Sequence, residues 1–175
     1  MKKSLMYLAM LGLLTSGLAS AKEYSAVMEI NAVVNPKVMT CSVIPSDSSI
    51  SLLELPETLI KQGDDATKPV VVHLSVVGAE ECDQMISQGR MAYRFTGVSD
   101  EAGGTALANS LSDSSAAKGV AIGIFDGSNK PIALNSGLLP AKDDTIFGLQ
   151  MVQLKGQEAV GGNINTSVTI DIVRL

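Results

Sequence analysis

The chain has 175 residues, with 13 basic against 18 acidic side chains for a net charge of -5, 46% apolar residues and only 3% aromatic ones. An acidic balance with no Lys/Arg cluster opposes phosphate backbones and anionic lipid, so no nucleic-acid partner is expected. One histidine and two cysteines leave little material for a metal centre or a His-based nucleophile triad.

The chain opens on MKKSLMYLAMLGLLTSGLASA, two lysines followed by an apolar run and the small-x-small triplet Ala19-Ser20-Ala21. This is the pattern of a secretory signal, expected to span residues 1–21 and to be cut after Ala21. The apolar run is shorter than the roughly 20 residues a membrane span needs, so no retained membrane segment is expected. Taking 21 from 175 leaves 154 residues, enough for one domain with a real core. Loss of Lys2 and Lys3 leaves 11 basic residues against 18 acidic ones and moves the net charge to -7.

Tyr24, Ala26, Met28, Ile30, Ala32 and Val34 then recur at every second position, the period of a strand with one buried face. Cys41 and Cys82 both follow the signal, and in an exported chain an isolated pair is most simply a disulfide. Closing a loop of about 40 residues would stabilise the fold by roughly 4 kcal/mol. A metal pair and a reactive thiol are the alternatives; no CxxC spacing supports either.

SISLLELP is a second candidate strand, ending at Pro56, and KQGDDATKP a polar loop. VVVHLSVVG, rich in β-branched residues, predicts a well-buried strand. In RMAYRFTGV the alternation puts Met91, Tyr93 and Phe95 on one side and Ala92, Arg94 and Thr96 on the other. SDEAGGTALANSLSDSSAAK has little period of either kind and is expected to be a long, mobile connection with one helical turn at most. GVAIGIFD resumes strand character, GSNK is a tight turn and PIALN a short return strand. TIFGLQMVQL and NTSVTIDIVRL are two further strands, joined by KGQEAVGGN. Seven or eight short strands with almost no helical pattern predict an all-β, antiparallel sandwich. Its core must come mainly from Val, Ile, Leu and Met, because past residue 21 the only aromatics are Tyr24, Tyr93, Phe95, Phe125 and Phe147.

No catalytic residue is expected. His73 lies inside VVVHLSVVG, where a satisfied strand histidine is a better reading than a base, and no G-x-S-x-G accompanies it. Asp126, Ser128 and Asn129 around Gly127 miss the calcium-loop spacing and read as a hairpin turn. Glu80-Glu81 and Asp143-Asp144 read as solvated loop charges. No enzyme activity, cofactor or metal is therefore predicted.

Taken together, these residues resemble the pilin subunits of the chaperone-usher pathway. GVAIGIFDGSNKPIALNS looks like that family's run of glycine, alternating apolar residues, aspartate, turn and leucine-asparagine, and the cysteines in VMTCSV and HLSVVGAEECDQM are placed as in the family. The resemblance covers residues 22–175. It implies an incomplete immunoglobulin-like sandwich lacking its last strand, whose groove is filled first by a periplasmic chaperone and then by the N-terminal extension of the next subunit, a case of strand addition. Residues 22–35 then form the donor-strand extension, with Tyr24, Ala26, Met28, Ile30, Ala32 and Val34 entering a neighbour's groove, and residues 36–175 form the pilin domain. Val168, Ile170, Ile172 and Gly162 are assigned to the groove and chaperone edge. Two departures stand out: Ala32 where the family commonly has glycine, and Arg174 where it often has a penultimate tyrosine.

The expected function is a structural fimbrial subunit that polymerises head to tail by donor-strand exchange and supports bacterial adhesion, with the departure at Arg174 pointing to a minor or divergent one. Its expected partners are neighbouring pilins, a periplasmic chaperone and an outer-membrane usher; its expected route is through the periplasm to a cell-surface fimbrium. A single-domain adhesin binding a host receptor and a self-complete β-sandwich binding protein are the alternatives.

Overall fold

The computed structural model describes residues 40–175. The expected signal and donor-strand residues, 1–35, lie outside them. Eight strands, one short α-helix and a single 3-10 turn (Pro56–Thr58, between β1 and β2) make up the fold: β1 (Cys41–Pro45), β2 (Ile60–Lys61), β3 (Val70–Gly78), α1 (Glu80–Ser87), β4 (Met91–Thr96), β5 (Val120–Asp126), β6 (Leu138–Pro140), β7 (Thr145–Gln153) and β8 (Thr169–Arg174). They form two sheets. In the first, β1, β3, β7 and β5 pair antiparallel in that order. The two-residue β2 runs parallel to β7 beside Val152 and Gln153. In the second, β4 lies antiparallel between β6 and β8.

The inward faces of both sheets make one core. Val72, Leu74, Ile122, Ile124, Phe147 and Leu149 come from the first sheet, and Met91, Tyr93, Phe95 and Leu139 from the second. The Phe95 and Phe147 rings meet across it, centroids 4.9 Å apart, within the separation that favours tilted aromatic pairs. Alternation along β4 sorts its residues as expected, with Met91, Tyr93 and Phe95 buried; Ala92 is buried as well and Arg94 is exposed. A smaller cluster of Ala66, Ala106, Ala121, Phe125, Val152 and Leu154 lies apart from the main one.

Several elements depart from the sequence expectation. VVVHLSVVG forms the nine-residue β3 but is buried on one face only: Val72 and Leu74 are inside, whereas Val71 and Val77 are exposed. An antiparallel sheet can leave one face to water, and β-branched residues suit a pleated strand whether or not both faces are covered. PIALN forms a single bridge from Pro131 to Phe125 and no return strand, and the next strand, β6, joins β4 in the second sheet.

Glu80 and Glu81, expected to be solvated loop charges, open the helix α1, which runs to Ser87. Glu80, Glu81 and Asp83 occupy its first turn, where negative charge favours the positive end of the helix. Cys82, Met85 and Ile86, at helical spacing, turn into the core.

The segment 99–118 is pinned rather than free. Leu107 bridges both Ser99 and Ile122, and Lys118 bridges Val160. At its start the buried Asp100 carboxylate accepts hydrogen bonds from the backbone N–H groups of Ala102, Gly103 and Ala106 and from the Gln62 side chain. Burial alone would raise its pKa, but the Gly103 and Ala106 amides, with Gln62 and Gly104, outweigh burial and bring it from 3.8 to about 2. Because the folded value is depressed, the stabilisation is complete above the unfolded pKa and is lost as pH falls from about 4 towards 2. Allowing for solvent at the loop, Asp100→Asn is expected to cost about 1–2 kcal/mol at neutral pH. It should also flatten the fall in stability below pH ~4, read from urea midpoints across pH.

Candidate functional site

Among the strands that keep an unpaired edge are β1 and β8. β1 pairs only with β3, and β8 only with β4. After β1 the chain continues through residues 46–55 without joining any ladder, although Ile50, Leu52 and Glu54 are half-buried while Ser51, Leu53 and Leu55 alternate to the outside. SISLLELP therefore has the strand pattern the sequence suggests and lacks the partner that would make it one.

Between these edges runs a groove of about 580 Å³. Its floor is Val72, Ile122, Phe147 and Leu149; one rim carries Ile50 and Leu52, the other Ile164, Val168 and Ile170. The rim residues are only half-buried, though they pack against the core. A second cleft of about 200 Å³ shares Leu52 and Ile164 with the first and extends it past Val120, Met151 and Val160. Residues 45–52 and 164–170 line the main groove, whereas 52–59 and 160–164 line the extension. One rim thus ascends in sequence as the other descends, and an extended segment laid between them runs parallel to one and antiparallel to the other. Apolar floor and rims suit alternating apolar side chains, and open backbone edges suit the N–H and C=O groups of a strand.

Of the residues singled out from sequence, Tyr24, Ala26, Met28, Ile30, Ala32 and Val34 lie outside the described residues. Cys41 and Cys82 form a disulfide, which joins the start of β1 to α1. Val168 and Ile170 line the groove. Ile172 is half-buried against the core, where β8 crosses Tyr93 of β4. Gly162 lines the extension, and its backbone lies so close to residues 115–117 that an added Cβ would meet Ala117 N at 2.5 Å and Ser115 O at 2.7 Å. The residues that sequence reasoning missed are Ile50 and Leu52. Their signal was the period-2 pattern itself, which does not distinguish a strand in a sheet from one waiting at a sheet's edge.

Nothing in the groove resembles a reaction centre. His73 sits on the exposed face of β3 with its Nδ1 2.9 Å from Asp144. Among the described residues no group of three or more His, Cys, Asp or Glu is placed to hold a metal ion. Nor does any described helix have the length and apolarity to cross a membrane.

A family model for "Fimbrial protein" matches residues 28–173. Among solved structures, the chain is similar to the P pilus rod subunit PapA, with 15% identity and a TM-score of 0.54 over 86% of this chain and 100% of that one. It is also similar to a chain in the structure of a chaperone-usher pilus, with 16% identity and a TM-score of 0.52 over 87% of this chain and 97% of that one. At such identities the likeness is one of fold. No curated protein matches the chain.

Proposed function

The chain belongs to the fimbrial protein family, and on that footing we propose that it is a structural subunit of a chaperone-usher fimbria that polymerises by donor-strand exchange. Its sheets are those of an incomplete immunoglobulin-like sandwich, similar in fold to pilus subunits. The observation that carries the proposal is the groove: an apolar floor between two rims, each with an unpaired backbone edge. Exposed apolar surface beside an open strand edge is an aggregation hazard in a monomer. A strand supplied by another molecule covers both, and pilin assembly is an established instance of that mode.

In this reading residues 1–21 are removed on export, residues 22–35 are the donor extension, and Tyr24, Ala26, Met28, Ile30, Ala32 and Val34 fill the groove of the neighbouring subunit. Val168, Ile170 and Ile172 belong to the edge that first receives a periplasmic chaperone, and an outer-membrane usher passes the subunit to the cell surface. The contact is head to tail and does not close on itself, so it propagates as a fibre that supports adhesion. The departures at Ala32 and Arg174 fit a minor subunit.

Deleting residues 22–34 tests this. The truncated subunit is expected to co-purify with its chaperone and to be absent from the position that follows in the fibre. Unfolding of the truncated chain even with the chaperone present would show instead that the opening strand completes its own domain.

A further inference from the structure

The groove rim ahead of β8 keeps the course of a strand before the ladder begins. From Asn163 to Ile170 burial alternates: Ile164, Thr166, Val168 and Ile170 are half-buried, and the residues between them are exposed. Asn163 N–H donates to the Ser115 carbonyl, and the Asn163 carbonyl accepts from Ala117 N–H. Asn165 N–H donates to Asn109 Oδ1, and the Asn165 carbonyl accepts from Ser110 N–H and Oγ. At the other end Leu175 N–H donates to the Arg90 carbonyl, just before β4. These odd-numbered residues all turn their backbone groups towards the body of the domain. Successive residues of an extended strand turn theirs to opposite sides, so those of Ile164, Thr166, Val168, Ile170 and Ile172 form one row along the open edge. The first four of these residues line the groove.

β4 supports only part of that row. It stops at Thr96, opposite Thr169. Ahead of that pair the loop 109–117 takes the place of a strand, and one side chain ties it together. Asn109 Nδ2 donates to the Ala117 carbonyl at 3.3 Å and to the Asn163 carbonyl at 2.9 Å. Its Oδ1 accepts from Leu111 N–H and from Asn165 N–H, both at 3.0 Å. A primary amide has two donor hydrogens and two acceptor positions, and here all four are used. Two fold the loop onto itself, and two grip the rim on either side of Ile164. Aspartate would lack the donors, and an apolar side chain would lack all four bonds.

We propose that Asn109 is a positioning residue for strand insertion: by clamping Asn163 and Asn165 it holds Ile164 and Thr166 in line with β8, so that an incoming strand pairs along the chain from Ile164 onward and not with β8 alone. The proposal rests on the groove being a strand acceptor. Length supports it. The alternating stretch from Tyr24 to Val34 is longer than the six residues of β8 and equals the span from Ile164 to Arg174. An edge without the clamp would leave part of such a strand with unpaired backbone groups, which is costly where water is excluded.

The test uses the exported full-length chain, a labelled peptide of its residues 22–35, shorter peptides of residues 22–31 and 27–35, and hydrogen exchange. Asn109→Ala is expected to slow capture of the long peptide about fivefold or more, the scale of one lost hydrogen bond. It should also raise exchange of the Asn165 amide while β8 keeps its protection. One of the two shorter peptides, the one that reaches only β8, should be captured equally well by wild type and Asn109→Ala. A general loss of stability would slow all three peptides alike, and that result would overturn the proposal. Unaltered capture of the long peptide, or unaltered exchange at Asn165, would overturn it as well. If the wild-type chain captures no peptide, the acceptor reading fails, and exchange at Asn165 still decides whether Asn109 holds the rim. If Asn109→Ala does not fold, the same readouts on Asn109→Ser decide between the outcomes.

Discussion

Phe147→Ala is expected to lower the stability of the domain by about 3–5 kcal/mol, the range for truncating a fully buried aromatic ring. On a domain of this size that is a fall of roughly 10 °C or more in thermal midpoint. Phe147 stands on β7, the strand that pairs with β3 on one side and β5 on the other. Its ring contacts Phe95 of β4, 4.9 Å away, so its removal weakens the joint between the two sheets as well as the packing within one. The same ring forms part of the groove floor. The cavity left by alanine therefore opens into the groove and cannot be closed by movement of a covering layer. Phe147→Leu, closer in volume, should cost less than about 1.5 kcal/mol. A double-mutant cycle with Phe95→Leu should return a coupling of about 0.5–1.5 kcal/mol from the ring pair itself. A cost below ~1 kcal/mol for Phe147→Ala would mean that the two sheets are not held together at this point.

The strands were legible where local pattern and tertiary partner agree. In β4 and β8 the side chains that meet the main core, Met91, Tyr93 and Phe95 on one and Ile170 and Ile172 on the other, recur at every second position, so alternation gives the register, because a one-residue slip would turn them away from the core. The same pattern misleads at SISLLELP, because periodicity records which side of a segment is apolar and is silent on whether another strand lies beside it. That silence matters most at the groove, where Ile50 and Leu52 hold an extended course without a ladder. The helix α1 was hidden for a different reason. Cys82, Met85 and Ile86 fall at helical spacing, but eight residues with two adjacent glutamates give a weak signal, and the cysteine drew the reading towards its disulfide. The Asp100 loop was unreadable from composition because its order comes from one carboxylate gathering amides that precede no regular element. Gln62 belongs to the same class: a polar side chain bonded to Asp100, Thr105 and the Lys155 backbone, partners distant in sequence and known only once the sheet is assembled.

Removing the Cys41–Cys82 bridge, by Cys41→Ala with Cys82→Ala or by reduction, is expected to cost about 2–5 kcal/mol. The two cysteines are 41 residues apart, and the chain-entropy model gives roughly 4 kcal/mol for a loop of that length. Native domains commonly have only about 5–15 kcal/mol in total, and one with an unpaired strand edge on each sheet has less apolar burial than a completed sandwich. The loss should therefore be visible as a large shift of the denaturant midpoint. It should also be local in its consequences. Cys41 begins β1, the edge strand that leads into the groove rim, and Cys82 is buried in α1, packed so tightly that a Cβ on Gly78 would lie 2.7 Å from its Sγ. Without the bridge β1 keeps its pairing to β3 and loses its tether to the helix, so hydrogen exchange should rise first at residues 41–45 and 80–87, ahead of β5 and β7. If the midpoint does not move, the reduced chain must already keep these two ends together when unfolded. If instead β5 and β7 exchange as early as β1, the sandwich unfolds as one unit and the bridge acts on all of it rather than on the groove's edge.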